Sequence, residues 1–255
     1  MSEKAKVETV HAYGHFSNKT AEISEMFDSI APAYDFMNNA MTFGLCRYWR
    51  NRALDYACAP LDIDGEWEML DVATGTGDVA LELLRRRPNA RIHGVDLSSG
   101  MLQLARQKTK RLGPRDSSRI FFAQGDSLML PFPDNMFHLV TVAYGVRNFA
   151  HIDRGLAEMT RVLKPGGTLC IIELSEPRNP LTRALYKLYA HKLIPLLGSR
   201  VSGDKSAYTY LPASIAACPQ RDDMTRLMTE AGLDRCHWRS LTFGAVTLYY
   251  GKKGL

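Results

Sequence analysis

The stretch Leu70-Asp71-Val72-Ala73-Thr74-Gly75-Thr76-Gly77-Asp78 joins an apolar run to two glycines and two carboxylates. A strand that turns through glycines into a helix lets the backbone pass close to a ligand. Asp96 ends the next apolar run, 21 residues after Gly75. A carboxylate there can accept both hydroxyls of a ribose. Gly125-Asp126-Ser127 closes a third run, where an adenine edge would lie.

Two ligands compete for this spacing. Gly75-x-Gly77-x-x-Ala80 with Asp96 also satisfies the dinucleotide fingerprint. A dinucleotide sets a pyrophosphate on the helix N-terminus, and Asp78 at that position would repel it. S-adenosyl-L-methionine has no phosphate and carries an ammonium and a sulfonium, which Asp71 and Asp78 suit. Asp126 suits an adenine amino group. The charges therefore favour the methyl donor, with Asp71, Gly75, Thr76, Gly77, Asp96, Asp126 and Ser127 as its binding residues. Asp78 also has a plainer reading, as an acid capping its own helix.

Such a site needs elements to position it. Apolar runs at residues 69–73, 91–96, 120–124, 138–143 and 168–173 read as strands. Helical patterns fill the gaps: 77–87, then from Ser98 or Ser99 to about Leu112, then a helix capped by Asp153 and running to Leu163. Lys164-Pro165-Gly166-Gly167 reads as the turn into the fifth strand. This βα alternation implies a parallel sheet with helices on both faces. Helical spacing also marks residues 20–30 and 45–57, and residues 222–231 form a helix stopped by Gly232. Strand-like residues 235–241 and 245–251 flank Phe243-Gly244, and their hairpin suits an antiparallel strand at the sheet edge. Residues 181–197 read as a basic, aromatic-rich amphipathic helix.

The chain has 255 residues, a net charge of +5 and five cysteines. That length buries a core without metal or disulfide. Cys46, Cys58, Cys170, Cys218 and Cys236 form no CxxC pair and no zinc spacing, so no metal is expected. An odd, scattered set suits a reducing compartment. The polar first ten residues are no secretory signal, and no apolar stretch reaches the ~18 residues of a spanning helix. With no concentrated basic stripe, and no Asn-Pro-Pro-aromatic loop after the fourth strand, a nucleic-acid substrate is disfavoured.

Two longer motifs narrow the reading. One runs from Tyr34-Asp35-Phe36-Met37-Asn38 through Met41-Thr42-Phe43-Gly44 to Arg47 and Trp49. The other runs from Arg161-Val162-Leu163-Lys164-Pro165-Gly166-Gly167 to Ile172-Glu173-Leu174-Ser175. Together they resemble the C-methyltransferase family of ubiquinone and menaquinone biosynthesis. Leu130-Pro131-Phe132-Pro133-Asp134, Gly145-Val146-Arg147-Asn148, Tyr210-Leu211-Pro212 with Ser214-Ile215, and Leu241-Thr242-Phe243-Gly244 are also similar to it. The resemblance covers about residues 27–252. Thr42, Cys46 and Ala143 depart from it, standing where members usually carry Ser, often His, and often Ser.

The resemblance implies a class I, Rossmann-like α/β methyltransferase fold, with a mostly parallel seven-stranded sheet and an antiparallel edge strand. It implies methylation of a ring carbon in a polyprenylated quinol, with demethylmenaquinol favoured over 2-methoxy-6-polyprenyl-1,4-benzoquinol. Ring carbon becomes nucleophilic once a neighbouring hydroxyl loses its proton, so the site must steady a phenolate. Arg147 and Asn148 follow the fourth strand, where such sheets bind ligands. Arg147 is expected to steady the phenolate, Asn148 to orient a proton-carrying water, and Tyr34 to close over the cofactor. The plainer readings are that Arg147 pairs with a carboxylate and that Tyr34 packs. A flexible arm is expected over residues 1–20, and one methyltransferase domain over 21–255, with a helical cap at 21–58 and a substrate lid at 178–215. The expected setting is cytoplasmic, with a peripheral contact at the inner membrane face and pairing with a second copy as partner expectations. The alternatives are another small-molecule methyltransferase, such as a sterol or phenol methylator, and a non-catalytic cofactor-binding subunit of a quinone-synthesis assembly.

Overall fold

A computed structural model describes residues 6–13, 18–188 and 205–255. Among them lies a seven-stranded sheet: β1 Glu68–Val72, β2 Arg91–Asp96, β3 Ile120–Gln124, β4 Phe137–Ala143, β5 Leu163–Leu174, β6 Leu233–Leu241 and β7 Val246–Lys253. Their order is β3-β2-β1-β4-β5-β7-β6. β1 to β5 pair in parallel. β7 runs against β5, and β6 returns antiparallel to β7 to form the rim. The order reverses between β1 and β4, so their carboxyl ends open a crevice.

The helices are α1 Lys19–Ile30, α2 Tyr34–Met41, α3 Leu45–Cys58, α4 Asp78–Arg86, α5 Ser99–Thr109, α6 Pro114–Ser117, α7 Ile152–Val162, α8 Pro180–Leu188, α9 Lys205–Ala217 and α10 Asp222–Glu230. Strand alternation sorts the core into two layers. Leu70, Val72, Val140, Val142, Leu169, Ile171 and Tyr249 pack against α7 and α10. Met69, Leu139, Cys170, Ile172, Leu248 and Tyr250 pack against α3 and α4. Cys170 is thus a core residue. Each fully buried aliphatic side chain here contributes about 1.5–3 kcal/mol.

One local reading narrows and two change. Ser98 caps α5, accepting from the Met101 amide at 3.0 Å. Asp153 does not cap α7, whose flanking residue is His151. The Ile152 amide instead donates to Glu8 Oε1 at 3.0 Å, so a carboxylate from the N-terminal segment caps that helix. Lys164-Pro165-Gly166-Gly167 lies inside β5. Phe137 pairs with Leu163 and Leu139 with Thr168, so the four residues loop out opposite His138 alone.

The N-terminal segment 6–13 is held at two points. Besides Glu8, the buried Glu22 of α1 lies 2.8 Å from His11 Nδ1 and accepts the Ala12 and Tyr13 amides. At the end of the expected arm, Asn18 caps α1 and Lys19 and Thr20 open it, and residues 1–5 and 14–17 lie outside the described residues. So does most of the basic helix expected over 181–197. Its start is α8, where Arg183 Nε donates to the Pro177 carbonyl at 2.8 Å. Among the described residues, no helix is long and apolar enough to cross a membrane.

Candidate active site

The glycine loop leaves β1 through Ala73, whose φ is 52°. Gly77 (φ 81°) then caps α4, where a Cβ would lie 3.0 Å from that of Ala105. Only glycine allows both the left-handed turn and this approach to α5. At Gly75 nothing lies within 4 Å of where a Cβ would stand. That open space belongs to a crevice walled by Gly75, Asp96, Asp126, Ser127, Tyr34, Tyr144 and Asn148, with Ile23, Ser24 and Phe27 of α1 across it.

Asp96 ends β2 with its carboxylate already oriented: Oδ2 accepts the Gly75 amide at 2.7 Å and Oδ1 the Ser98 amide at 2.9 Å. Burial raises its pKa, and those two amides work against the rise. Asp126 Oδ1 accepts the Leu128 amide at 2.9 Å. Among the described residues the crevice wall carries these two carboxylates and no Lys or Arg. That donor set fits a cationic adenosyl ligand with ribose hydroxyls, and lacks the cations a pyrophosphate wants.

Three of the expected cofactor residues lie outside this wall. Gly77 shapes the loop behind it. Asp71 is buried beneath it, accepting from Thr74 Oγ1 at 2.6 Å and Thr141 Oγ1 at 2.8 Å. Burial pushes its carboxyl up to about 7. Thr76 Oγ1 donates to Asp35 Oδ1 at 2.6 Å and accepts from Lys108 Nζ at 2.9 Å. Lys108 also meets Asp35 at 2.7 Å and Asp78 at 2.6 Å, and Arg50 meets Asp78 at 2.8 Å. Asp78 is therefore no partner for the cations of the methyl donor. Burial opposes its charge, but Lys108 and Arg50 outweigh that and hold its pKa down, and its charge is spent on them. Asp96 and Asp126 supply the negative charge instead. The Asp78 cluster pins the start of α2, and with it Tyr34, to the loop.

A second cavity, of about 300 Å³ and largely apolar, adjoins the first. Met26, Met37, Met41, Trp49, Leu211 and Ile215 contribute to its wall. Trp49 Nε1 donates to Thr242 Oγ1 at 2.7 Å, tying α3 to the hairpin turn. Phe27, Tyr34, Tyr144 and Asn148 line both spaces, and Arg147 lines the second. The three expected catalytic residues therefore gather at one seam.

Arg147 is buried and ion-paired: Nη1 lies 2.7 Å from Glu173 Oε1, and its amide donates to Oε2 at 3.2 Å. Nη1 also donates to the Tyr144 carbonyl. Burial opposes the guanidinium charge, and Glu173 outweighs it. Asn148 Oδ1 accepts from Tyr210 Oη at 3.2 Å. Burial raises the Tyr34 pKa above that of a free phenol, against a hydrogen bond with Asn38. Sequence reasoning gave no role to Glu173 or Tyr144 and only a lid role to Tyr210. Glu173 had a signal, a lone charge ending an apolar strand; Tyr210 stood in a family-like motif, but nothing local paired it with Asn148, 62 positions away.

The sheet order and crevice define a class I methyltransferase fold. Among solved structures, the [4+2]-cyclase SpnF is similar with a TM-score of 0.61, at 18% identity over 92% of this chain and 96% of that one. Phosphoethanolamine N-methyltransferase 2 of Haemonchus contortus, in complex with S-adenosyl-L-methionine, is similar with a TM-score of 0.59, at 15% identity over 80% of this chain and 53% of that one.

The chain belongs to the ubiE/COQ5 methyltransferase family, whose model matches residues 15–253. It is 44% identical to a demethylmenaquinone methyltransferase of Deinococcus radiodurans, over 94% of this chain and 96% of the relative. It is 40% identical to one of Bacteroides fragilis, over 96% and 98%. It is 42% identical to the ubiquinone/menaquinone biosynthesis C-methyltransferase UbiE of Geobacter sulfurreducens, over 94% and 91%.

Proposed function

We propose that this chain methylates a ring carbon of demethylmenaquinol with S-adenosyl-L-methionine as donor. The observation that carries the reading is the seam itself: a crevice with two carboxylates opens beside an apolar cavity, and they share Tyr34, Tyr144 and Asn148. Asp96 would hold the ribose hydroxyls, with Asp126 and Ser127 at the adenine and Gly75 giving close approach. Bound there, the cofactor supplies an electrophilic methyl group. Aligning donor and acceptor in adjoining spaces is worth up to ~7–11 kcal/mol of barrier.

Arg147 stays charged with Glu173 as its counter-ion, and its Nε, unpartnered among the described residues, donates to the quinol phenolate and steadies it. Asn148, oriented by Tyr210, positions the water that carries away the hydroxyl proton. Tyr34 stays protonated and closes the seam from α2. The helical cap over 21–58 and the described parts of the expected lid, residues 178–188 and 205–215, then enclose the isoprenoid tail. Relatives carry both menaquinone and ubiquinone names, so the deciding assay compares rings. Labelled methyl should pass to demethylmenaquinol faster than to 2-methoxy-6-polyprenyl-1,4-benzoquinol. The reverse preference moves the acceptor to the benzoquinol, and binding of cofactor without transfer to either sinks the enzyme reading.

A lipid acceptor also suggests where the chain works: in the cytoplasm, touching the inner membrane face. Phe43 on the cavity wall is 79% exposed, Phe243 beside Thr242 is 84% exposed and Leu181 is 72% exposed. Exposed apolar side chains around a lipid cavity suit an interfacial contact. Flotation with anionic vesicles should carry the chain upward, and a Phe43→Ser/Phe243→Ser variant should stay at the bottom. Equal flotation of both sinks the contact.

A further inference from the structure

Tyr144 joins the two cavities. It follows β4 with a φ of 58°, a left-handed conformation that strains a non-glycine residue. Its amide donates to the Ile172 carbonyl at 2.7 Å, which holds the kink. The next residue must be small, because a Cβ on Gly145 would lie 2.7 Å from that of Ala73. Ala73 follows β1 with its own φ of 52°. Both strands at the reversal of sheet order therefore bend sharply, and the bend in β4 sets the Tyr144 ring in the wall of crevice and cavity alike.

The Tyr144 hydroxyl is sealed from solvent and has no hydrogen-bond partner among the described residues. An unsatisfied buried hydroxyl costs free energy that a phenylalanine would not. Such a group is the mark of a donor waiting for a ligand. Arg147 Nε, three residues on, is a second buried donor without a partner among the described residues, and Arg147 lines the same cavity. Burial raises the Tyr144 pKa far above that of a free phenol, so it keeps its proton at every working pH.

We propose that the Tyr144 hydroxyl donates a hydrogen bond to a ring oxygen of the quinol acceptor, fixing which ring carbon faces the methyl donor. The assignment rests on the proposed quinol methylation. It goes further in giving the acceptor a specific donor that fixes its orientation, separate from the cation that steadies its charge. Recognition of an oxygen by a buried hydroxyl discriminates strongly, because an acceptor that cannot bond leaves the donor stranded.

Tyr144→Phe tests it in the full chain. Three readouts belong together: methyl transfer to demethylmenaquinol, affinity for S-adenosylhomocysteine and thermal unfolding. Transfer efficiency should fall roughly 10–100-fold, as expected for a hydrogen bond to an ionised oxygen. Cofactor affinity should hold, and Tm should stay level or rise by about 2–4 °C as the stranded hydroxyl is removed. Unchanged transfer in the variant overturns the assignment, as does a fall in transfer matched by a fall in Tm and cofactor affinity. A wild type that transfers no methyl overturns it together with the proposed function; a working wild type matched by its variant overturns the assignment alone.

Discussion

The crevice and the cavity beside it meet at four side chains, yet they are made differently. In the crevice, Asp96 and Asp126 are fixed by backbone amides before any ligand arrives. In the cavity, three of the wall residues are methionines, Met26, Met37 and Met41. Methionine is unbranched and adapts to irregular shapes. The first space suits a ligand with one shape and fixed polar groups. The second suits a flexible, featureless chain of isoprene units attached to a ring. The seam between them has the property of neither, since it holds a buried ion pair and two stranded donors.

The ion pair offers the largest way to break that contrast. Arg147→Met leaves Glu173 buried and uncompensated, which should cost about 3–5 kcal/mol of stability. Adding Glu173→Leu should recover a large part of it, though the Arg147 and Leu174 amides lose their acceptor. Urea unfolding reads the recovery. Methyl transfer should stay absent in both variants, because the cation proposed to steady the phenolate is gone from both. Transfer restored in the double variant would make the pair a packing device only.

Asp96 gives the next largest effect and confines it to the crevice. Asp96→Ala removes the acceptor of two amides and the proposed ribose contact. Affinity for S-adenosylhomocysteine should fall about 100-fold or more by calorimetry, in line with the loss of hydrogen bonds to a charged group. The apolar cavity should not notice: the tail-length dependence of acceptor binding should be unchanged. A change there would show that the two spaces are coupled.

The same contrast explains what could be read before the structure. The crevice comes from contiguous pieces, a strand end and the loop after it, so Gly75, Asp96 and Asp126 stand where their local order put them. Even there, charge was misjudged, because Asp78 is neutralised by Arg50, 28 positions away, and Lys108, 30 positions away. Local patterns do not reveal such partners. The βα alternation gave the parallel sheet, but the Lys164–Gly167 stretch carries the same turn residues whether it joins two elements or bulges within one strand. Asp153 looked like a cap because the true cap, Glu8, lies 144 positions away. The cavity is harder still. Its wall draws on α1, α2, α3, α8 and α9, and no spacing rule links Met37 to Ile215. Only the family resemblance pointed there.

The smallest effect probes the cavity alone. Leu211 of α9 is half-buried in its wall, so a polar side chain there should be tolerated by the fold. Leu211→Asn takes away apolar surface that an isoprenoid tail would cover, at about 25 cal/mol per Å². For a long-tailed demethylmenaquinol, KM should rise about 10-fold, roughly the worth of half a buried leucine side chain. For the same naphthoquinol ring without a tail, KM should not move, since the ring sits at the seam. Cofactor affinity should also hold, because Leu211 does not border the crevice. A variant that raises KM equally for both acceptors would place the ring, rather than the tail, against α9, and the division of labour between the two spaces would have to be redrawn.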